Sequence, residues 1–365
     1  MRNTIGNHIT LTIFGESHGE MIGAILDGIP AGIEIDEAYI EQLMDLRKAK
    51  GTISTSRKEE DKVRIVSGVR NGFAEGTPIT ILIENRNVRS QDYESAAFVP
   101  RPSHADYSGS LRYKGYEDRR GGGHFSGRLT AALVASGAIC MHMLEKKGIY
   151  IASHIKELHG IHDREFENLN DDIVKLKGKY FAVLNDEVEE KMKAEIEDAR
   201  CKKDSLGGVL ETVVDGLDAG IGNPMFDSLE SLLSHAIFSI PAVKGIEFGA
   251  GFALKDMYGS DANDAFGITE NEVVTLSNHS GGIQGGISNG MPILFRTVIK
   301  PTPSIASLQQ SVDLNTYREV QLEIQGRHDP AIIHRARIVV DCMTAFTLAD
   351  VLVGQFGEDY FGEKR

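Results

Sequence analysis

The sequence predicts an α+β fold in which two similar β-α-β halves pack into one body. Helical and strand-like segments alternate along the chain. "DGIPAGI" at 27–33 returns as "DGLDAGI" at 215–221, each after a strand-like run and before a helix. Later, "NGFAEGTPITILI" has a counterpart in "NGMPILFRTVI". Chance likeness between glycine-rich turns is the alternative. We expect one domain over 1–365, with halves at roughly 1–145 and 205–345 and a charged excursion at 145–205.

Hydrophobic spacing predicts four of the helices. After Asp36, Ile40, Leu43 and Met44 recur at helical intervals, and Arg47 is the next position on that apolar face. A helix over 186–203 has one apolar stripe, and another covers 129–147. A fourth begins at Asp227, with an Asp-x-x-Glu variant of the capping box. Strands are predicted at 63–67, 78–83, 209–215, 292–299 and 336–341.

The composition excludes several functional classes. With 39 Lys and Arg against 53 Asp and Glu, the net charge of −14 disfavours nucleic-acid binding through general surface charge. Any anionic ligand therefore needs a local basic pocket. Three widely spaced cysteines argue against a disulfide framework and a zinc site, and no metal site is expected. The longest mostly apolar stretch, "LTAALVASGAICMHML", is too short to predict a membrane span. We expect a cytoplasmic protein.

"GESHG" at 15–19 follows the apolar run "LTIF" and has the pattern G-x-S-x-G. In serine hydrolases this pattern holds a nucleophile between a strand and a helix, with an oxyanion loop earlier in the chain. Only 14 residues precede Gly15, and "EMIGAILDGIPAGI" indicates a short strand and a turn. A serine nucleophile at Ser17 is thus disfavoured, and His18 becomes the more interesting side chain. The alternative is a loop whose Ser17 and His18 only bond the backbone.

A local anion-binding segment is predicted at 112–128, which contains five cationic side chains and only two carboxylates. Three glycines before "HFSGR" let backbone N–H groups approach a phosphate, next to the N-terminus of the following helix. A further cluster, "GRHDPAIIHRAR" at 326–337, places Asp329 between Arg327 and Arg335. It predicts either bidentate binding of an acidic ligand or a surface salt-bridge network.

Six strings occur in order over nearly the whole chain: "GESHG", "RPSHADY", "GGGHFSGR", "NHSGGIQGGISNG", "KPTPS" and "GRHDP". In this combination the chain resembles chorismate synthases. The resemblance implies a β-α-β sandwich fold and a homotetramer. It also implies a lyase that converts 5-enolpyruvylshikimate 3-phosphate to chorismate and phosphate by 1,4-elimination. This is the last common step of the shikimate pathway to aromatic amino acids, and it uses reduced FMN without net redox change.

The resemblance also implies roles for individual residues. His18 would protonate the departing phosphate, His104 would favour the anionic reduced flavin near its N1 edge, and Asp329 would support deprotonation at flavin N5. The substrate's anionic groups would contact Ser17, Arg47, Arg101, Arg128 and Arg335. The FMN contacts would be His124, Phe125, Ser126, Pro241, Ala242, Gly285, Lys300, Pro301, Thr302, Pro303, Ser304 and Arg327.

Two departures from the family pattern are visible. Ser103 stands where many members have glycine, a change that the loop is expected to tolerate. The second arginine after the first helix has no clear match, and only Arg57 is near. Arg47 is the candidate NADPH-binding residue, because some members bind a nicotinamide in this region. Reduction of FMN by NADPH on this protein and reduction by a separate flavin reductase both stay open.

A flavin-binding electron carrier or sensor without lyase activity is the alternative function. It accounts for the glycine-rich loops, but it gives no reason for two histidines and a surplus of arginines directed at an anion.

Overall fold

The computed structural model describes residues 3–51, 53–54, 60–86, 98–324 and 329–362. The strands are β1 (Thr4–Ile5), β2 (Thr10–Gly15), β3 (Met21–Asp27), β4 (Val63–Ser67), β5 (Val69–Arg70), β6 (Phe73–Ala74), β7 (Ile79–Glu84), β8 (Tyr150–Leu158), β9 (Ile161–His162), β10 (Gly208–Asp215), β11 (Val243–Phe248), β12 (Phe266–Thr269), β13 (Glu272–Thr275), β14 (Ile283–Gln284), β15 (Ile287–Ser288), β16 (Ile293–Ile299), β17 (Gln309–Asp313) and β18 (Arg318–Leu322). The α-helices are α1 (Glu37–Arg47), α2 (Asp106–Tyr113), α3 (Thr130–Glu145), α4 (Leu169–Leu176), α5 (Asp186–Cys201), α6 (Leu229–Phe238), α7 (Gly259–Ala262) and α8 (Ile333–Phe356).

Two five-stranded antiparallel sheets have corresponding strand orders. The first sheet runs β1-β2-β3-β7-β4, and the second runs β9-β8-β10-β16-β11. β3 and β10 each lead into one of the related Asp-Gly turns, and β7 and β16 contain the second pair of related segments. The fold is therefore α+β with an internal repeat, as predicted. The numerical boundaries of the two halves stay a prediction.

A helical layer lies between the sheets. α3 packs against β2, β3 and β7 of the first sheet, α8 packs against β8 and β10 of the second, and the two helices pack on each other. Among the described residues, one helical stretch, Gly127–Glu145, is long and apolar enough to cross a membrane, but 89% of its apolar window is buried inside the protein. This stretch is thus part of the central core.

Local signals account for the predicted helices. The Asp36 carboxylate caps α1 by accepting the Tyr39 N–H at 3.0 Å, which confirms that helix. The predictions for 129–147 and 186–203 correspond to α3 and α5. The cap predicted at Asp227 is wrong: the N-cap of α6 is the next residue, Ser228, whose Oγ accepts the Ser231 N–H at 3.1 Å. Asp227 instead ends a short 3-10 turn.

Four strand predictions are confirmed by β4, β7, β10 and β16, but the strand at 336–341 is wrong. These residues lie in α8, where the sequence "RIVVDC" is buried on every side of the helix. A short β-branched run that is buried all round has no periodicity to separate helix from strand. The charged segment 145–205 also contains β8, which pairs with β10 inside the second sheet.

Candidate active site

The turn that follows β2 is held against the glycine-rich loop at 121–123. Ser17 N–H donates to the Gly123 carbonyl at 3.0 Å, and His124 Nδ1 donates to the Gly15 carbonyl at 2.9 Å. The Ser17 side chain is completely buried, and its Oγ has no hydrogen-bond partner among the described residues. A buried hydroxyl without a partner costs free energy, so this position is suited to a polar ligand atom.

Two histidines lie against the glycine loop. A Cβ at Gly121 would clash with the His18 imidazole, and a Cβ at Gly122 would lie 3.3 Å from Cε1 and Nε2 of His104. Both glycines have positive φ, 60° and 88°, so a side chain there would be strained as well as crowded. The loop thus brings together two histidines that are 86 positions apart in the sequence.

His104 belongs to a compact group of polar side chains. Its Nδ1 lies 2.6 Å from Asp106 Oδ1, and Arg101 bonds both Asp106 oxygens through Nε and Nη2. Arg101 Nη1 also donates to Ser304 Oγ at 3.2 Å. Burial raises the pKa of Asp106, but hydrogen bonds from Arg101 and His104 outweigh this effect and lower the pKa below its usual range.

A second group joins two predicted substrate-binding arginines through a buried carboxylate. Asp61 Oδ2 accepts from Arg47 Nη1 at 2.8 Å, and Asp61 Oδ1 accepts from Arg128 Nη1. The Asp61 side chain is fully buried. Burial raises its pKa, but the two guanidinium charges outweigh burial and hold the pKa below the ordinary value. Two buried cations are thereby held side by side with one counter-ion.

Neighbouring contacts connect these groups. Asn85 accepts from Arg128 Nε at 2.9 Å and donates to the carbonyls of Glu16 and Gly19 in the Ser17 turn. On the other side, Arg335 Nε donates to the Arg47 carbonyl at 2.8 Å. Hydrogen bonds therefore run without interruption from the Ser17 turn through both arginines to α8.

Asp329 and "KPTPS" extend this network. Arg335 Nη1 donates to Asp329 Oδ2 at 2.7 Å, and Thr302 Oγ1 donates to the Asp329 carbonyl at 2.9 Å. Ser304, two residues after Thr302, accepts the hydrogen bond from Arg101 Nη1. These contacts run from the Ser17 turn through Arg128, Arg47, Arg335 and Asp329 to Ser304, and then through Arg101 and His104 back to the glycine loop. We call this set of residues the polar ring.

Most of the other predicted contacts lie at or beside the polar ring. Lys300 Nζ donates to the Ser103 carbonyl at 2.6 Å, and the Lys300 N–H donates to the Ala242 carbonyl at 2.9 Å. These bonds place Pro241, next to Ala242, and Pro301 and Pro303, within "KPTPS", near the polar ring. Ser103 has a φ of 58°, which explains why glycine suits this position.

Other predicted cofactor contacts have structural partners or lie elsewhere. Phe125 packs on Gly109 and on the Tyr113 ring, and Ser126 Oγ accepts the Arg128 N–H. Gly285 forms the exposed turn between β14 and β15, and the contacts of the described residues do not link it to the polar ring. Arg327 lies outside the described residues, as does Arg57.

Three residues of the polar ring have no role in the sequence analysis: Asp61, Asn85 and Asp106. Asp106 is two positions from His104 within "RPSHAD", so its proximity was readable from the motif. Asp61 and Asn85 meet Arg128 from 67 and 43 positions away. No local pattern could reveal such pairings.

The sequence is similar to proteins of one enzyme family. The family model described as chorismate synthase matches residues 9–353. The chorismate synthase of Korarchaeum cryptofilum is 43% identical over 346 residues, covering 94% of this chain and 96% of the relative. The chorismate synthase of Pyrococcus abyssi is 42% identical over 348 residues, covering 95% and 97%.

A solved structure gives the same result. The crystal structure of a chorismate synthase superposes with a TM-score of 0.74 at 28% identity, covering 97% of this chain and 94% of that chain. By sequence and by fold, this chain belongs to the chorismate synthase family.

Proposed function

We propose that this chain converts 5-enolpyruvylshikimate 3-phosphate to chorismate and phosphate by 1,4-elimination with reduced FMN, the last common step of the shikimate pathway. The observation that carries the proposal is the polar ring, because it unites five of the six motif segments through the contacts of a single chain. Family membership over almost the whole chain supports the same reaction. An electron carrier without lyase activity is not favoured.

The residues fit a flavin and an anionic substrate. The Ser17 hydroxyl is buried without a described partner, and the backbone at Gly121 and Gly122 leaves no room for side chains beside the two histidines. Pro241, Ala242 and the 300–304 segment supply a stiff wall with one lysine and two hydroxyls, suited to holding FMN. When bound, reduced FMN supplies the electron-rich ring that eases cleavage of the substrate's C–O bond.

Binding of the substrate anions falls to the arginines. Arg47, Arg128 and Arg335 are linked to one another by hydrogen bonds, so their charges act from one side of the site. Guanidinium groups bind carboxylates and phosphates through paired donors, which a protein of net charge −14 needs at this place. Ser17 Oγ would add a neutral hydrogen bond.

Two side chains handle protons in this proposal. His18 donates a proton to the departing phosphate, which lowers the cost of its negative charge. Asp329 accepts a proton at its carboxylate, which the bond from Arg335 keeps oriented at 2.7 Å. His104 acts beside the N1 edge of the flavin, where it favours the anionic reduced form.

Anaerobic phosphate release tests the function. We expect 5-enolpyruvylshikimate 3-phosphate to yield phosphate and chorismate with dithionite-reduced FMN and not with oxidised FMN. A His18→Gln variant should bind substrate and release phosphate at a rate roughly 10²- to 10⁴-fold lower. Equal phosphate release with reduced and oxidised FMN, or none with either, contradicts the proposal.

The source of the reducing electrons is a separate part of the proposal. We propose that a flavin reductase supplies FMNH2, because the second arginine that some relatives use in the nicotinamide region has no clear match. If the protein itself uses NADPH, Arg47 is the candidate contact. Anaerobic mixing of NADPH with the FMN complex should leave the flavin absorbance unchanged, whereas bleaching would assign the reduction to this chain.

We further propose a cytoplasmic homotetramer. Supporting this, the β12–β13 hairpin exposes Phe266, Ile268 and Val273 at 68, 78 and 68%. Ile268 and Val273 lie opposite each other in the register, so these apolar side chains form one face. Light scattering should give four times the chain mass, and Ile268→Asp should lower it. A wild-type chain of monomer mass would contradict the assembly.

A further inference from the structure

Asp106 has a geometry that differs from an ordinary helix-start carboxylate. Its Oδ2 accepts from the Arg101 backbone N–H at 3.0 Å and from Arg101 Nε at 2.7 Å. Its Oδ1 accepts from Arg101 Nη2 at 2.8 Å and faces His104 Nδ1 at 2.6 Å. Arg101 therefore fixes this carboxylate from two directions, and the other hydrogen bond that the described residues give it is with the imidazole.

The hydrogen-bonding groups around His104 determine which of its ring nitrogens carries the hydrogen. An ionised carboxylate only accepts hydrogen bonds, so the hydrogen between Asp106 and His104 is on Nδ1. The bonds from Arg101 and His104 favour this ionised form by lowering the pKa of Asp106. Arg101 Nη2 lies beside the ring, 3.0 Å from Nδ1 and 3.2 Å from Nε2. Because these two distances are nearly equal, Nη2 lies over the face of the ring and is not directed along the in-plane lone pair of Nε2.

The orientation of the ring follows from the same contacts. With Nδ1 directed at Asp106, the Cε1–Nε2 edge lies against Gly122, where a Cβ would be 3.3 Å away. The side chains of His104 and Asp106 are 15% and 23% exposed, so the pair is mostly shielded from competing water. The nitrogen that a hydrogen bond does not occupy is the one available for chemistry.

We infer that Asp106 is a positioning residue that, together with Arg101, holds His104 as the Nδ1–H tautomer with its Nε2 edge directed at the glycine loop. The inference deepens the proposed function and rests on it for the role of His104 toward reduced FMN. It also gives Arg101 a positioning role in addition to its predicted contact with the substrate, since Nε and Nη2 both bind Asp106.

Imidazole nitrogen NMR on the protein without FMN tests the tautomer directly. With ¹⁵N-labelled histidine, the His104 signals, identified by their loss in His104→Gln, should show a protonated Nδ1 in the wild type. Asp106→Asn should shift the neutral ring toward the Nε2–H form or a mixture. A wild-type spectrum with a protonated Nε2 and a bare Nδ1 overturns the inference, even if Asp106→Asn fails to fold.

Single-turnover phosphate release provides the second readout. Asp106→Asn should lower the rate roughly 10- to 100-fold, the range for outer partners that orient a histidine, while substrate affinity stays within about 3-fold. Asp172→Asn is the matched control, because Asp172 is also buried and bound by two nitrogens of one arginine, Arg164, but lies on α4. This control should leave the His104 signals and the rate unchanged.

The outcomes separate this inference from the proposed function. An unchanged tautomer and an unchanged rate in folded Asp106→Asn overturn the positioning role. If the wild type shows the Nδ1–H tautomer and releases no phosphate with reduced FMN, the positioning role stands and the proposed function fails. A rate loss shared equally by Asp172→Asn would assign the effect to general destabilisation and overturn the inference.

Discussion

The central helices α3 and α8 occupy corresponding places in the two halves, yet they stabilise the protein in different ways. α3 is buried mainly through apolar side chains, with Thr130 and Ser136 as its buried polar residues. α8 buries His334, Arg337, Asp341 and Asp350 within the same core. Both helices pack on each other and on a sheet, so burial alone does not explain the difference.

The partners of α8 provide the explanation. Arg337 Nη2 donates to the Leu176 and Lys179 carbonyls, and Asp350 accepts backbone N–H groups from residues 7–9. These segments lie outside regular helices and strands or at their ends, and their backbone groups need partners when buried. α3 contacts mostly regular elements, whose backbone is already paired. Buried polar side chains on α8 thus supply hydrogen-bond partners for backbone groups that lack a partner in a regular helix or strand.

The largest expected effect is on the N-terminal segment. Asp350→Ala removes the acceptor for the N–H groups of Asn7, His8 and Ile9, with N···O distances from 2.6 Å. We expect the free energy of unfolding to fall by about 3 kcal/mol, because buried donors lose a charged acceptor. Urea denaturation measures this, and Asp350→Asn should lose less. A loss below about 1 kcal/mol for the alanine variant would remove the distinction between the helices.

The next effect depends on pH. Burial, and then the nearby Arg335 charge, lower the pKa of His334 from 6.5 to about 3. Between these values the unfolded chain binds a proton that the folded chain does not, so stability falls as pH falls. His334 should contribute a loss of about 2.5 kcal/mol between pH 6.5 and about 4.5.

His334→Gln should remove this contribution, since glutamine does not titrate and its amide can still reach Ser54. Urea denaturation at three pH values gives the slope for both proteins. Parallel slopes for wild type and variant would show that His334 is not the acid-sensitive group on α8.

A smaller effect is expected where the 145–205 segment meets the chain after α1. Tyr180 OH accepts from Lys50 N–H, donates to the Lys48 carbonyl and contacts Ser54 Oγ, which is the partner of His334. Tyr180→Phe should cost about 1.5 kcal/mol. Tyr39→Phe is the control, because the Tyr39 OH makes one hydrogen bond within the described part of the chain, to Glu145 at the end of α3. A larger loss for Tyr39→Phe would reverse the comparison.

The smallest effect is expected within α3. Ser136 is fully buried, and its Oγ has no hydrogen-bond partner in the described part of the chain. Ser136→Ala should change the free energy of unfolding by less than about 0.5 kcal/mol or raise it slightly, because no bond is lost. A clear loss of stability would show that α3 also depends on a buried polar contact.

The difference between these helices also explains what the sequence could predict. α1 follows from apolar spacing and the capping residue Asp36, and the related turns at 27–33 and 215–221 correctly indicate equivalent strands. The strand prediction at 336–341 is wrong because Ile338, Val339 and Val340, near the start of α8, are buried on all sides of the helix. Where every face of a segment is buried, the spacing of its apolar residues cannot distinguish a helix from a strand.

For the candidate site, motif strings located the segments but not their pairing. His18 and His104 were recognised, yet their common contact with the glycine loop depends on three-dimensional folding. The sequence did not indicate a role for Asp61, because that role depends on its ion pairs with Arg47 and Arg128, which belong to two other segments. Side chains that act on ligands are conspicuous in a sequence, whereas those that act on other side chains are defined by distant contacts.

The bonds of Asp350 also set an order of events during synthesis. The three N–H groups that it binds lie 341–343 positions earlier, so they leave the ribosome long before their acceptor exists. Domains otherwise tend to fold from the N-terminus as they emerge. Here the segment before β2 stays without its final partners until α8 is made. A nascent chain stalled before residue 350 should therefore exchange these amide hydrogens rapidly, and the completed chain should protect them.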